Sequence, residues 1–370
     1  MDWSAEFPGL TQGTYLNSCA HGLLSRRARA AIDAHLERWT TSPDWNIWTE
    51  TSDQARVAFA GLVGASPDDI ALQANASSGI AAIMNAIPDS PGRDRILTLS
   101  LDFPVAPFIA NSQTRRGLKH EHVDSGEDAT LTLEAWKEHL DRGVALACLP
   151  AVASFTGYKF DIKAFAEAAH DVGARVLVDS FQATGTYPID VKTTGVDFLA
   201  TGVYKWLMAP SGLGFLYAAE EARAAFKPTT AGWYGAEDPF AFDPLQGHAG
   251  TASRYQYGAP SVMACAAATE SIGLIQETGL DKIEEHNERL IDRLIAGSRE
   301  RKLPLITPED RRDRASILLM RVPDLDRSLA ALKSAGVTVN TRSNAIRVSP
   351  HFYNTEAHIE RFFEVLDTTL

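Results

Sequence analysis

Cysteine is scarce in this chain. The three present, Cys19, Cys148 and Cys265, stand far apart with no Cys-x-x-Cys and no alternating Cys/His spacing, which excludes a disulfide framework and a structural zinc site. Long hydrophobic runs are missing too: no stretch approaches the ~18 consecutive apolar residues of a membrane span. The opening MDWSAEFPGL has neither the basic region nor the apolar core of a secretion signal. Positive charge is in deficit, with 35 Lys and Arg against 47 Asp and Glu, a formal net charge of −12 and a pI near 5.3. Neither nucleic acid nor an anionic membrane is therefore expected as the main partner, although a local basic pocket can still hold a phosphate or carboxylate. Internal repeats and low-complexity tracts are absent as well. The expectation is a cytoplasmic protein that handles a small molecule.

What is there suits a sizeable enzyme. At 370 residues and 45% hydrophobic, the chain can bury a large core and a second, smaller one. It is organised around Arg175 to Tyr217. Val176, Leu177 and Val178 form a short apolar run, the pattern of a strand buried on both faces, and the run ends in a carboxylate, Asp179. A second run, Val196 to Ala200, leads into Lys205, and a third, Gly212 to Tyr217, follows a Pro-Ser-Gly turn. In an open α/β sheet the strand ends line the ligand crevice, so Asp179 and Lys205 can face each other across a bound molecule. Lysine forms a Schiff base with an aldehyde, and a carboxylate beside a pyridine nitrogen keeps it protonated, so the pair points to pyridoxal 5'-phosphate (PLP).

Other segments add to that chemistry. Asp69 to Gln73 is a strand candidate followed by NASSGIAAIMNAI, where small residues opening a helix leave backbone N–H groups free for a phosphate; Ser77 and Ser78 offer hydroxyls. Arg95 to Ser100 is a further strand, leading to LDFPVAPF, where Phe103 can stack on a ring. Arg26 to Trp39 reads as an amphipathic helix with Ala28, Ile32, His35, Leu36 and Trp39 on its less polar side. Val144 to Leu149 is a strand and Ile162 to Val172 a crossing helix. Strand and helix alternate without a linker, which predicts one doubly wound domain. Residues 231 to 260 have no period and are rich in Gly and aromatics, as functional or interfacial loops are. Beyond them come helices at Ser261–Thr278 and Leu280–Arg299, strands at 316–322, 337–340 and 346–349, and helices at 325–335 and after Asn354.

DSFQATG, DFLATGVYKWL and PSGLGFLY together resemble the core signature of the class V aminotransferase family, fold type I PLP enzymes that include cysteine desulfurases, kynureninases and several lyases. The resemblance implies an α/β fold, with a large, mostly parallel sheet domain and a small C-terminal α+β domain. The implied division is an N-terminal arm at 1–20, a PLP-binding domain at 21–255 and a small domain at 256–370. It implies Lys205 as the Schiff-base lysine, Asp179 on the pyridine nitrogen and Gln182 near the ring hydroxyl. The Tyr204-Lys205 pair is most similar to the kynureninase-like branch, in which such a Tyr reaches the phosphate, and Phe103 matches that branch's stacking Phe. The family's phosphate cup falls on Ala76 and Ser77, although Ala76 has only its amide to give. IRVSPHFYNTEAHIERFFEVL resembles the C-terminal signature, which implies that Arg347 receives the substrate α-carboxylate. A homodimer with active sites at the interface is implied too, although Gly258-Ala259 stands where the family has a Gly-Thr whose hydroxyl reaches the partner's phosphate. Desulfurases carry a Cys on the loop before the Arg; here that loop reads VNTRSNAIR, so persulfide chemistry is disfavoured. The leading expectation is an aminotransferase of a small α-amino acid. A lyase or hydrolase cleaving at Cβ is the alternative, and a non-catalytic binding protein the third. No role for His21, Arg254 or Arg342 is fixed at this level.

Overall fold

The computed structural model describes residues 2–126 and 130–370. In chain order its strands are β1 (Thr14–Tyr15), β2 (Ile70–Gln73), β3 (Arg95–Leu99), β4 (Lys119–Val123), β5 (Val144–Pro150), β6 (Arg175–Asp179), β7 (Phe198–Gly202), β8 (Gly214–Ala218), β9 (Leu318–Met320), β10 (Val337–Thr338), β11 (Asn340–Arg342) and β12 (Ala345–Val348). The helices are α1 (Arg26–Thr41), α2 (Trp45–Leu62), α3 (Ala76–Asn85), α4 (Val105–Ser112), α5 (Leu133–Glu138), α6 (Ile162–Asp171), α7 (Val191–Thr194), α8 (Glu220–Ala225), α9 (Val262–Thr278), α10 (Leu280–Glu300), α11 (Leu325–Ser334) and α12 (Glu356–Asp367).

Seven strands form one sheet in the order β2-β8-β7-β6-β5-β3-β4, in which only β8 runs against the others. Successive side chains of a strand point to opposite faces, and here both faces are covered. Val176 and Val178 of β6 enter the core shared with α1, α2, α6 and α9, while Leu177 enters the core under α3 and α4. The apolar runs are continuous in the sequence because each strand has two dry sides. Alanines 264, 266, 267 and 268 of α9 are all buried, and their small side chains let α1 and α2 lie close along it. A stacked pair, Phe59 and Phe215, at 4.2 Å between centroids ties α2 to β8.

A second, smaller core is made by the antiparallel sheet β11-β12-β9 with α10, α11 and α12. The N-terminal arm reaches it, since β1 pairs in parallel with β10 and Leu16 is fully buried in that core. Helix α9 instead packs with the seven-stranded sheet. We therefore propose that the small domain starts near Gly279 rather than at residue 256. No helix among the described residues is long and apolar enough to cross a membrane.

The structure differs from the sequence reading in several places. Leu36 and Trp39 of α1 are 40% and 47% exposed rather than packed inward. Helix α2 and edge strand β4 form where no element was expected. The segment before Arg347 is a tight hairpin rather than a loop, with Ser343 and Asn344 at φ of 52° and 53° making a two-residue turn between β11 and β12.

Packing in the small core is close at Gly297, where an added Cβ would lie 2.3 Å from Cε2 of Phe363. Gly297→Ala must push α10 and α12 apart, at a cost of about 1–3 kcal/mol. A lowered midpoint of denaturant unfolding is the expected result, and an unchanged one would contradict this packing.

Candidate active site

The parallel strands all end on one edge of the sheet, and the segments leaving them build the site. Asp179 is the last residue of β6, Pro150 the last of β5, and Lys205 follows β7 by one turn. Phe103 follows β3 and the start of α3 follows β2. Together they enclose a cavity of about 510 Å3 lined by Ala76, Ser77, Phe103, Asp179, Gln182, Tyr204 and Lys205. Residues read from separate motifs thus meet in one place.

Lys205 is held from two sides. Its Nζ lies 3.9 Å from the centroid of the Phe181 ring and 5.8 Å from that of Phe103. Behind it, Gly22 donates its N–H to the Tyr204 carbonyl at 2.8 Å, and a Cβ on Gly22 would fall 2.0 Å from the Lys205 carbonyl oxygen. Glycine is required there by contact alone. Burial pushes the Lys205 amine down to about 8, against the pull of the Asp179 charge.

Asp179 shows the mirror effect: burial raises its carboxyl above the usual range, opposed by the Phe181 N–H and by the Lys205 charge. Oδ1 accepts that Phe181 N–H at 2.9 Å, and no described residue bonds Oδ2. Gln182 is more constrained than its place in the motif suggested. The Trp206 indole N–H, which can only donate, reaches its Oε1 at 3.0 Å, and Nε2 donates to the Cys19 carbonyl at 3.1 Å. These two bonds fix the amide orientation and leave one N–H for a ligand. Burial raises the Tyr204 hydroxyl, which no described residue bonds.

The start of α3 faces the cavity. Asn75 caps it, with its Oδ1 accepting the Ser78 N–H at 2.9 Å and its own N–H donated to Ser78 Oγ at 3.2 Å. Ser78 is therefore spent on the cap, contrary to the expectation that it offers a free hydroxyl. Ala76 and Ser77 keep their amides open. Phe103 is 45% exposed, one face free.

Arg347 does not line the cavity. It is 2% exposed on β12, donating from Nε to Asn340 Oδ1 at 2.9 Å and from Nη1 to the carbonyl of Ser154 at 3.0 Å, and Ser154 is a cavity wall. Nη2 has no described partner, and burial lowers the guanidinium from its ordinary value. His21 stands beside Tyr204, with ring centroids 5.9 Å apart, outside the cavity lining. Arg254 is used structurally, donating to the carbonyls of Ala249 and Arg223. Two residues were passed over in the sequence. Phe181, in the middle of DSFQ, touches the lysine, and Gly202 admits its ring, since a Cβ there would lie 2.6 Å from Phe181 Cζ. Ser154, whose buried Oγ has no partner, stands in ASFTG, which carries no motif signal.

The donor set fits PLP: a desolvated amine, a buried carboxylate with one open oxygen, open helix-start amides and a free aromatic face. No group of three or more metal-ligating side chains occurs among the described residues. Fold and site define a fold type I PLP-dependent enzyme. The family model "Aminotransferase class-V" matches residues 42–362, and the chain belongs to that family. An uncharacterised aminotransferase of Bacillus subtilis, YcbU, is 30% identical over 351 residues, covering 95% of this chain and 92% of the relative. Kynureninase 1 of Aspergillus fumigatus is 28% identical, covering 95% of this chain and 79% of the relative. Among solved structures, a C-DES variant with glycine covalently linked to its PLP cofactor superposes with a TM-score of 0.89 at 20% identity, covering 98% of this chain and 99% of that one.

The depressed amine gives a pH test. A neutral amine attacks an aldehyde and an ammonium does not, so the rate at which cofactor-free protein takes up PLP should rise with pH through about 8 and level off above it. A rate still climbing steeply past pH 10 would show an ordinary lysine.

Proposed function

We propose that this enzyme transaminates a small α-amino acid, with Lys205 as the lysine that holds PLP. The supporting observation is the convergence of the Lys205 amine, the Asp179 carboxylate and, behind Ser154, an Arg347 guanidinium with no acidic partner. Bound PLP supplies an aldehyde and a ring that accepts electrons from Cα. Asp179 Oδ2 would hold the ring nitrogen's proton, with its burial keeping competing water away. Phe103 would pack on the ring, Gln182 would offer its remaining N–H to the ring hydroxyl, and Ala76, Ser77 and Tyr204 would hold the phosphate. Arg347 would take the α-carboxylate and so orient the substrate. Lys205 Nζ, near its own pKa at neutral pH, is suited to take a proton at Cα and to return it.

A second reading, cleavage at Cβ, is favoured by the Tyr204 hydroxyl, which is free in the same cavity to protonate a leaving group. A sulfur-acceptor mechanism is disfavoured: all three cysteines are free and buried, and the hairpin before Arg347 is too short to carry a mobile thiol. Cys19 is drawn in beside the site by the N-terminal arm, but it is fully buried. Buried, unpaired thiols fit a reducing cytoplasm. A non-catalytic binding role would leave the amine, acid and guanidinium together without a use.

The reading includes a homodimer. Trp39, Trp45, Trp233, Phe240, Phe242 and Leu245 are all at least 40% exposed, and rings from α2 and the 233–242 loop contact one another. Such a patch on two adjoining segments is suited to a second copy. Phe242→Asp with Leu245→Asp should shift the sedimentation coefficient from dimer to monomer; wild type that sediments as a monomer would end the dimer proposal.

Chemistry is tested on a panel of amino acids by identifying the keto acid, ammonia or side-chain fragment released. A keto acid with stoichiometric amino transfer supports transamination; a side-chain fragment supports Cβ cleavage. Borohydride should fix the pyridoxyl group on Lys205 and on no other lysine. Arg347→Ala should keep the cofactor's absorbance and lose roughly 30- to 1,000-fold in kcat/KM, the equivalent of about 2–4 kcal/mol for a charge-assisted bidentate contact. Arg347→Lys should recover part of that loss. Equal loss on amines lacking the carboxylate would remove Arg347 from substrate binding.

A further inference from the structure

Arg347 is one of two guanidiniums on the same hairpin. Arg342 ends β11, paired with Ala345 across the two-residue turn. Its guanidinium carbon lies 5.4 Å from the centroid of the Phe155 ring, and its Nε is buried without a partner. The tip is fastened to the same residue, because Ser343 Oγ donates to the Phe155 carbonyl at 3.3 Å. Phe155 adjoins Ser154, whose carbonyl receives Arg347 and whose buried Oγ is unpartnered on the cavity wall. Arg342 is thus fixed beside the site by a ring and a turn rather than by an acid.

Neither guanidinium has an acid of its own. Ion pairs occur throughout the described residues of this acidic chain, yet none involves Arg342 or Arg347. Both guanidiniums push the Lys205 amine toward its neutral form, so they lie within electrostatic reach of it. Arg347 is buried and Arg342 half-buried, and two like charges on one hairpin are unfavourable unless anions meet them. One α-carboxylate answers Arg347 and leaves Arg342 unmatched.

We propose that Arg342 is a specificity-determining residue that receives a second carboxylate at the end of the substrate side chain, so that the preferred substrates are acidic α-amino acids. This rests on the reading of Arg347 as the α-carboxylate site. The contact with the Phe155 ring restrains the Arg342 side chain before any ligand arrives, which lowers the freedom lost on binding a carboxylate.

The test uses PLP-loaded protein and unreactive acids. Calorimetric Kd values are measured for succinate, glutarate and adipate against propionate, butyrate and valerate. Turnover of aspartate, glutamate and 2-aminoadipate is compared with that of alanine, 2-aminobutyrate and norvaline. Wild type should bind its best dicarboxylate more tightly than any monocarboxylate. Arg342→Ala should weaken that dicarboxylate by about 10- to 100-fold and the monocarboxylates by less than about threefold, the size expected for one charge-assisted contact. Arg347→Ala should weaken both classes. Arg342→Gln, which keeps a polar side chain but removes the charge, should reproduce Arg342→Ala if charge matters, and Arg342→Lys should restore part of the dicarboxylate preference. Equal weakening of both classes by Arg342→Ala, or a wild type indifferent to the second carboxylate while it turns over neutral amino acids, would overturn the acidic-substrate inference and spare the aminotransferase reading. A retained dicarboxylate preference without turnover of any amino acid would overturn that reading instead.

Discussion

Desolvation of one acid and one amine is the constraint on which this active site depends. For both Asp179 and Lys205 burial is the largest influence, and for each it outweighs the attraction of the other. Burial thus works against a locked ion pair, holding the amine down to about 8 and the carboxyl above its usual range. A fully formed salt bridge would hold the lysine as an ammonium, which cannot attack a carbonyl. The sheet creates the constraint by ending two adjacent parallel strands, β6 and β7, on the same edge, β7 running two residues past the partner of Asp179, so that acid and amine leave the dry interior together. Packing energy from the two faces of the sheet is what keeps them there.

Every other part of the site is placed by the same edge. The start of α3, Phe103 and Ser154 all follow strands that point the same way. Arg347 comes from the smaller core, so the proposed substrate contact and the proposed cofactor residues stand on different layers. Their meeting point is Ser154, which lines the cavity and receives the guanidinium with its carbonyl.

Much of this was legible because strand ends are legible. Continuous apolar runs that stop at a charged residue mark Asp179, and a short apolar run leading into a Tyr-Lys pair marks Lys205. What escaped follows from chemistry that pattern reading handles poorly. Helix α2 was hidden by TETSDQ, whose Thr51 and Ser52 are buried only because their hydroxyls donate back to the carbonyls of Ile47 and Trp48. Strand β4 reads KHEHV, polar because it is a sheet edge. The hairpin at Ser343-Asn344 has no glycine to announce its positive φ angles. Phe181 was masked by the two motif residues on either side, and the free hydroxyl expected of Ser78 was claimed by the helix cap.

The path of the N-terminal arm has a consequence for how this chain can be altered. Between Thr14 and Gly22 it pairs with β10 of the smaller core, bridges Ser349 through Asn17, gives the Cys19 carbonyl to Gln182 and comes to rest against the backbone of Lys205. It is a tie-rod between the smaller core and the backbone of Lys205. Shortening it past about residue 13, or splicing a permuted terminus into it, would loosen both ends at once. A fusion that tugs on this arm would be felt at the lysine before it was felt in the core.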